Sequence, residues 1–497
     1  MLFNSFEFIF LFLPIVIIGY FFLNKLHTTS AKVWLLLASF FFYSWWNPDY
    51  FPLILTSLLV NYTVGTLLGK WENDFKRKAL LTVGILFNVG LLGYYKYADF
   101  FLSNVNVFFQ TNLPLLELAL PLAISFYTFQ QIAYLVDSYR NETKEYNFLN
   151  YSLFVAFFPQ LIAGPIVHHG TVMPQFEEER NKRWISSNVA LGIYVFGIGL
   201  FKKLIIADTF AIWANAGFSQ PTALSFFDSW IVSLAYTFQL YFDFSGYSDM
   251  AIGAALLFNI KLPINFNSPY KALSIQDFWR RWHITLSTFL TNYLYIPLGG
   301  SRKGISRTYI NILIIFAVSG IWHGAGWTFV IWGLLHGIAS VIYRAWSRLG
   351  LSLPKLLAWF ITFQFVNATW VFFRAESVQD ALSILKSMSG LNGFTFPASL
   401  QGQMELFGLE NYLPAEWSLA FLSDVPVNYV SSILTTGSLT ALLCVAFGLL
   451  ITLFLKNGMQ LMDAFKPGFF NALFIACLYV FSIFHLQRVS EFLYFNF

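Results

Sequence analysis

Twelve apolar runs separated by short loops dominate the sequence, and runs of this length and polarity are read as membrane-spanning helices. They lie at 6–23, 33–46, 50–68, 79–98, 116–136, 186–206, 229–258, 308–322, 326–343, 354–373, 437–455 and 469–487. Composition agrees: 57% of the residues are hydrophobic, 20% aromatic and only 11% charged, with a mean hydropathy of +0.62. Soluble domains carry about a quarter charged residues. The expectation is an all-α polytopic membrane protein with about 11–12 transmembrane helices plus re-entrant segments, several runs being shorter than the ~20 residues of a full crossing. A net charge of +4 is too small and too dispersed for a nucleic-acid partner and reflects basic loops facing the lipid bilayer's inner side. Cys444 and Cys477 sit in apolar runs at no metal-ligand or CxxC spacing, so they read as packed hydrophobes.

The first run has no Lys or Arg before Lys25. It lacks the basic leader of a signal peptide and is expected to remain as the first span, with the amino terminus outside. Lys25, Lys32 and the loop KWENDFKRK at 70–78 then fall on one side, the cytoplasmic one by the positive-inside rule. The stretch 151–170, with PQLIAGP in its centre, lies between loops that both carry cations, Arg140 and Lys144 before it, Arg180, Lys182 and Arg183 after it. It reads as a re-entrant hairpin broken at Pro159, Gly164 and Pro165, and broken backbone at membrane depth lines a cavity, which makes Gln160 a candidate pore-lining residue. From 387 to 455 Lys and Arg are replaced by Glu405, Glu410, Glu416 and Asp424. Residues 390–435 are therefore expected to form an extracytoplasmic insertion within a single domain spanning 1–497. No internal repeat is visible, which speaks against a secondary transporter.

The stretch 274–327 concentrates polar chemistry in this hydrocarbon. Ser274 is placed to cap a helix, with Asp277 three residues on and Leu273 and Phe278 at the staple positions, and Pro297 with Gly299-Gly300 ends it. The spacing predicts one helix over 274–297, a second segment entering from the cytoplasmic side. On it Asp277 faces Arg281, Trp279 faces His283, and Arg280 sits three before His283. His323 lies between Trp322 and Gly324-Ala325-Gly326-Trp327, where the tryptophans would wall its ring with flat apolar surface. It reads either as a core histidine bonded to Ser319 one turn back or as a functional group. An ionisable residue deep in an apolar segment is a functional hypothesis, and two such histidines, one after a cationic helix, favour function.

YFDFSGYSDM at 241–250 sets Asp243, Ser245, Ser248 and Asp249 in a long apolar segment. Their expected partners are the arginines of the 274 helix, and they serve either a structural ion-pair network around a wet cavity or catalysis. Lys202 and Lys203 are expected to snorkel to the interface. Two imidazoles near a channel suit proton abstraction from a hydroxyl. Ser-His-Asp, GxSxG and HExxH patterns are absent, and His283 and His323 have no third ligand at helical spacing, so no metal is expected. The simplest chemistry is direct acyl transfer from a thioester bound on the cytoplasmic side.

LIAGPI, YFDFSGYSDMAIG, DFWRRWHITLS and SGIWHGAGW resemble the signatures of the membrane-bound O-acyltransferase superfamily. The chain is most similar to its bacterial branch, which holds alginate and peptidoglycan O-acetyltransferases and the teichoic-acid D-alanylation membrane proteins. The resemblance runs to about Lys386 and resumes near 437. It implies helices ringed around a central pore, with a thioester donor reached from the cytoplasm and an acceptor from the opposite face. It puts the family's catalytic histidine on His323 and the second motif position, Asn or His among members, on His283. The activity it implies is that of an O-acetyltransferase of the bacterial cytoplasmic (inner) membrane. Such an enzyme would move acetyl from acetyl-CoA toward an extracytoplasmic polysaccharide, directly or through a secreted partner of SGNH type, with no bound cofactor. A phosphopantetheine carrier protein is the alternative donor, and a proton-coupled transporter using Asp243, Asp249 and the histidines is the competing class. On this reading His323 is the base. His283 orients donor or acceptor, Arg280 and Arg281 hold Asp277 or the inner aspartates, and Ser245 and Trp327 line the pore. Tyr309 to His323 covers ~21 Å of helix against a ~30 Å hydrocarbon core, which sets His323 past the midplane at the narrowest part of a cavity open to both faces.

Overall fold

The computed structural model describes residues 1–143, 147–162, 164–392, 395–397, 428–430, 438–487 and 492–493. The expected insertion at 390–435 lies for the most part outside the described residues. Among them the fold is helical apart from two paired three-residue strands, Thr395–Pro397 and Asn428–Val430. Among the described residues seven helical stretches are long and apolar enough to cross a membrane: Glu7–Leu26, Pro48–Lys70, Asp74–Phe109, Ser186–Phe218, Ile305–His323, Trp327–Arg348 and Lys355–Arg374. Their outer faces expose large apolar side chains such as Ile18, Phe22, Leu86, Phe101, Ile342 and Leu356. Exposed apolar surface on this scale is stable against lipid and not against water. The chain is a multi-pass membrane protein.

The amino-terminal part comprises α1 (Leu13–Leu26), α2 (Thr28–Ser44), α3 (Phe51–Lys70), α4 (Asp74–Leu92), α5 (Ala98–Phe109) and α6 (Ile124–Tyr139). A π-helical turn, Gly93–Tyr97, joins α4 to α5. The run expected at 116–136 turns helical only at Ile124. Pro114 and Pro121 deny the preceding residues a helix, and the Asp99 carboxylate accepts the N–H groups of Leu116 and Glu117 at 2.7 and 2.9 Å.

The hairpin read at 151–170 is α7 (Phe148–Ala156), α8 (Phe158–Leu161) and, after an irregular stretch, α9 (His169–Glu177). The Ser39 hydroxyl accepts from Phe158 N–H at 3.2 Å at the first break, and the Gln160 amide donates to the Phe154 carbonyl at 2.5 Å. Residues 151–162 are buried, the break at Phe157 and the turn at Ile162 included, as non-helical backbone at membrane depth must be.

Next come α10 (Ser186–Phe201), a π-turn Lys202–Ala207, α11 (Asp208–Phe218) and the long central α12 (Phe226–Leu256). Gly192 and Gly199 on α10 face Gly253 and Gly246 on α12 so closely that a Cβ at any of them would strike the opposite backbone. Small residues at a crossing let helices touch in this way. The contact carries Lys202 and Lys203 against α12. Lys202 Nζ lies 2.6 Å from Asp249, and Lys203 Nζ 2.7 Å from Asp243 and 2.8 Å from Asp208. Both expectations for these residues are thus corrected: the lysines turn inward instead of snorkelling, and they, not the arginines of the 274 helix, neutralise the aspartates.

The chain continues through α13 (Ile275–Trp279), α14 (Ile284–Leu290), α15 (Ile305–His323), α16 (Trp327–Arg348), α17 (Lys355–Arg374) and α18 (Val378–Met388). Three more helices, Ser438–Phe454, Gly458–Asp463 and Phe469–Ile483, close the described part.

Candidate active site

The segment after Ser274 starts as its residues dictate. The Ser274 hydroxyl accepts from Asp277 N–H at 3.1 Å, and Arg281 Nε lies 2.8 Å from Asp277 Oδ1 one turn on. The single helix expected over 274–297 nevertheless ends after a turn, because His283 takes a left-handed conformation at φ 45°. Such a backbone costs a non-glycine residue roughly 1–3 kcal/mol and persists only where surrounding structure imposes it. Here the neighbouring stretch Asn265–Asn267 does so. Its Asn265 carbonyl accepts from Ile284 N–H at 3.0 Å, the Asn265 side-chain oxygen accepts from the Thr285 hydroxyl at 2.7 Å, and Asn267 N–H donates to Arg281 O at 2.9 Å.

The turn throws His283 into the interior. Its ring is fully buried, 4.9 Å from Phe244, 6.1 Å from Trp322 and 6.3 Å from His323. His323 is the last residue of α15 and is walled by Trp332 at 4.8 Å, Trp322 at 4.9 Å and Phe373 at 5.4 Å. Trp327 is not part of that wall, contrary to expectation. It is 57% exposed, and its indole donates to the Asn104 side chain at 2.9 Å. His323 Nδ1 sits 2.7 Å from the Ser319 carbonyl oxygen. A carbonyl only accepts, so Nδ1 carries the proton and Nε2 is the basic nitrogen.

Arg280 is exposed and reaches neither Asp243 nor Asp249. With Gln276, Ser287, Thr291 and Arg344 it lines a cavity of about 290 Å³ whose wall includes Ser319, the residue that holds His323. Ser245, Ser248 and Asp249 border a different, water-sized cavity of about 20 Å³ together with Lys202 and Asn265. Asp243 is occupied by Lys203 and by the Leu493 N–H at 3.1 Å. Gln160 braces its own hairpin. The structure thus joins His283 and His323, sets Arg280 on an adjoining cavity, engages Arg281, Asp243, Asp249, Trp327 and Gln160 with other partners, and places Ser245 on the smaller cavity.

Two residues at the site were missed in the sequence. Trp279 pairs with His336 on α16, not with His283: its indole donates to His336 Nδ1 at 3.2 Å. His336 Nε2 lies 3.0 Å from the Thr369 hydroxyl, so this buried histidine braces the wall of the larger cavity. Lys96, in the π-turn Gly93–Tyr97, reaches the carbonyls of Trp322 and His323. The signal for each was present, an ionisable residue within the apolar runs 326–343 and 79–98.

Residues 40–374, which contain both facing histidines and both cavity arginines, match MBOAT, the membrane-bound O-acyltransferase family. The chain belongs to this family. It is 46% identical to the peptidoglycan O-acetyltransferase of Helicobacter pylori, over the whole of this chain and 98% of that protein. It is 40% identical to a probable alginate O-acetylase of Pseudomonas aeruginosa, over 82% of this chain and 78% of that one. The identity with the teichoic acid D-alanyltransferase of Bacillus subtilis is 29%, over 49% and 66%. The acyltransferase therefore carries its buried histidine pair within the part of the chain that defines the family.

Proposed function

We propose that this acyltransferase moves an acetyl group from acetyl-CoA, bound on the cytoplasmic side of a bacterial inner membrane, to a hydroxyl presented from outside for O-acetylation of a cell-envelope polysaccharide. The observation that carries the reading is the Nδ1 contact of His323 with Ser319 O, which leaves Nε2 basic and directed by a fixed backbone atom. A base must be held in one tautomer to serve as one.

In this mechanism the acceptor hydroxyl gives its proton to His323 Nε2 as its oxygen attacks the thioester carbonyl carbon. The tetrahedral intermediate collapses, the C–S bond breaks, and the departing sulfur takes the proton back from the imidazolium, which leaves an ester and a free thiol. His283, whose ring centroid lies 6.3 Å from that of His323, orients the reacting groups. Arg280 and Arg344 at the 290 Å³ cavity suit the phosphates of a CoA or phosphopantetheine arm, whose thin chain passes Ser319 toward His323. The same cavity would take a carrier-borne arm, so the donor is tested directly. Identity with a peptidoglycan O-acetyltransferase over the full chain supports acetyl as the group moved. The enclosure of His323 supports a slender acceptor, a side chain of an SGNH-type partner's tail before a bulky glycan.

The deciding experiment is transfer by the purified protein in vesicles. Labelled acetyl-CoA on one side should yield an acetylated acceptor on the other, and the His323→Ala protein should yield about 10²–10⁴-fold less. Proton flux without acyl transfer would instead establish a transporter, and transfer only from a loaded carrier protein would replace the donor.

A further inference from the structure

The end of α15 is completed by residues from outside the helix. A helix terminus leaves its last carbonyls without intrahelical donors. Here Gly324 N–H donates to Gly320 O at 3.3 Å, and two adjacent residues of the π-turn Gly93–Tyr97 take the next three carbonyls. The Tyr97 hydroxyl donates to Ile321 O at 2.8 Å. The Lys96 ammonium donates to Trp322 O at 2.6 Å and to His323 O at 3.3 Å, and to the Ser125 hydroxyl on α6 at 3.2 Å. All three Lys96 partners are neutral oxygens.

We propose that Lys96 is the positioning residue for His323. The proposal rests on the reading of His323 as the base. His323 is the terminal residue of its helix, and it is followed by Gly324-Ala325-Gly326, a continuation that imposes little on the backbone. Terminal turns fray unless their carbonyls are held. Lys96 holds the carbonyl of His323 itself and the one before it, and anchors both to α6 through Ser125. Three protons on one nitrogen allow this, where a neutral side chain of the same length could not. A cation at a helix carboxyl end also opposes the negative pole of the helix. The π-turn is what aims Lys96 and Tyr97 at the same helix end, in keeping with the frequent use of such turns at functional sites. Displacement of a reacting group by about 1 Å costs on the order of 100-fold in rate, so the grip on the backbone of His323 bears on turnover and not on donor binding.

The test uses the full-length purified protein, with kcat and donor KM measured for Lys96→Met, Lys96→Arg and Tyr97→Phe. Lys96→Met should lose on the order of 10–100-fold in kcat with donor KM within about twofold. Lys96→Arg should recover most of that loss. A Lys96→Met protein that folds and turns over normally, or that loses donor affinity instead of kcat, would overturn the proposal. If Lys96→Met fails to fold, Tyr97→Phe decides: it removes one hydrogen bond and should lower kcat by a few-fold, and unchanged kcat would count against the proposal. Retained activity in His323→Ala would instead overturn the base assignment, independently of Lys96.

Discussion

Lys203 Nζ and Asp243 Oδ1 form an ion pair at 2.7 Å with only 3% and 1% of their side chains exposed. A pair so enclosed costs much to desolvate, and breaking it strands a charge. Lys203→Met strands both Asp243 and Asp208 and should therefore destabilise the protein by about 3–5 kcal/mol, whereas Lys203→Met with Asp243→Leu leaves only the more accessible Asp208 without its cation and should recover part of the loss. Thermal unfolding in detergent measures both. Equal damage from the single and double substitutions would assign the pair a role beyond charge balance.

His323→Ala should lower acyl transfer by about 10²–10⁴-fold with the fold intact, the usual contribution of a general base. Near-normal turnover of a folded variant would remove His323 from the chemistry.

At His283 the backbone conformation separates two substitutions. Asn tolerates the left-handed region and Ala does not, and the residue sits at φ 45°. His283→Asn should keep more activity and a higher melting temperature than His283→Ala. The reverse order would mean that the left-handed turn at this position limits neither stability nor activity.

Arg280→Ala and Arg344→Ala should each raise the donor KM by about tenfold, worth ~1.4 kcal/mol, and leave kcat within about twofold, as loss of ground-state binding requires. The effect should shrink at high salt. Steady-state kinetics with acetyl-CoA at two ionic strengths tests this, and a fall in kcat alone would place the donor elsewhere.

α15 and α16 cross at Gly320 and Gly333, where a Cβ would land on Phe329 O and Phe316 O respectively. Gly333→Ala should cost about 1–3 kcal/mol by overpacking and lower turnover, since Trp332 beside it packs on His323. Gly90→Ala on α4, where the space is open, is the control. Indistinguishable melting and activity in the two variants would show that the close crossing has no consequence.

Much of this was legible along the chain. The apolar runs set the class, Ser274 caps its helix, Asp277 pairs with Arg281 one turn on, and the proline and glycine breaks near 159–165 mark an irregular segment. Each depends on a residue and its near neighbours, so a one-dimensional pattern carries it. His283 and His323 stood out as costly residues in hydrocarbon, although nothing in their spacing brought them together. Contacts between residues far apart in sequence were decided by helix crossings. The Gly199–Gly246 contact gives Asp243 and Asp249 to lysines and not to Arg280 and Arg281 just after α13. Asn265 bends the chain at His283 against its helical preference, and a π-turn brings Lys96 to the end of a helix more than two hundred residues away. Local propensity specified these segments, and only the packed structure could specify which polar groups meet, because in the membrane a buried charge or carbonyl is satisfied by whatever partner the fold places within reach.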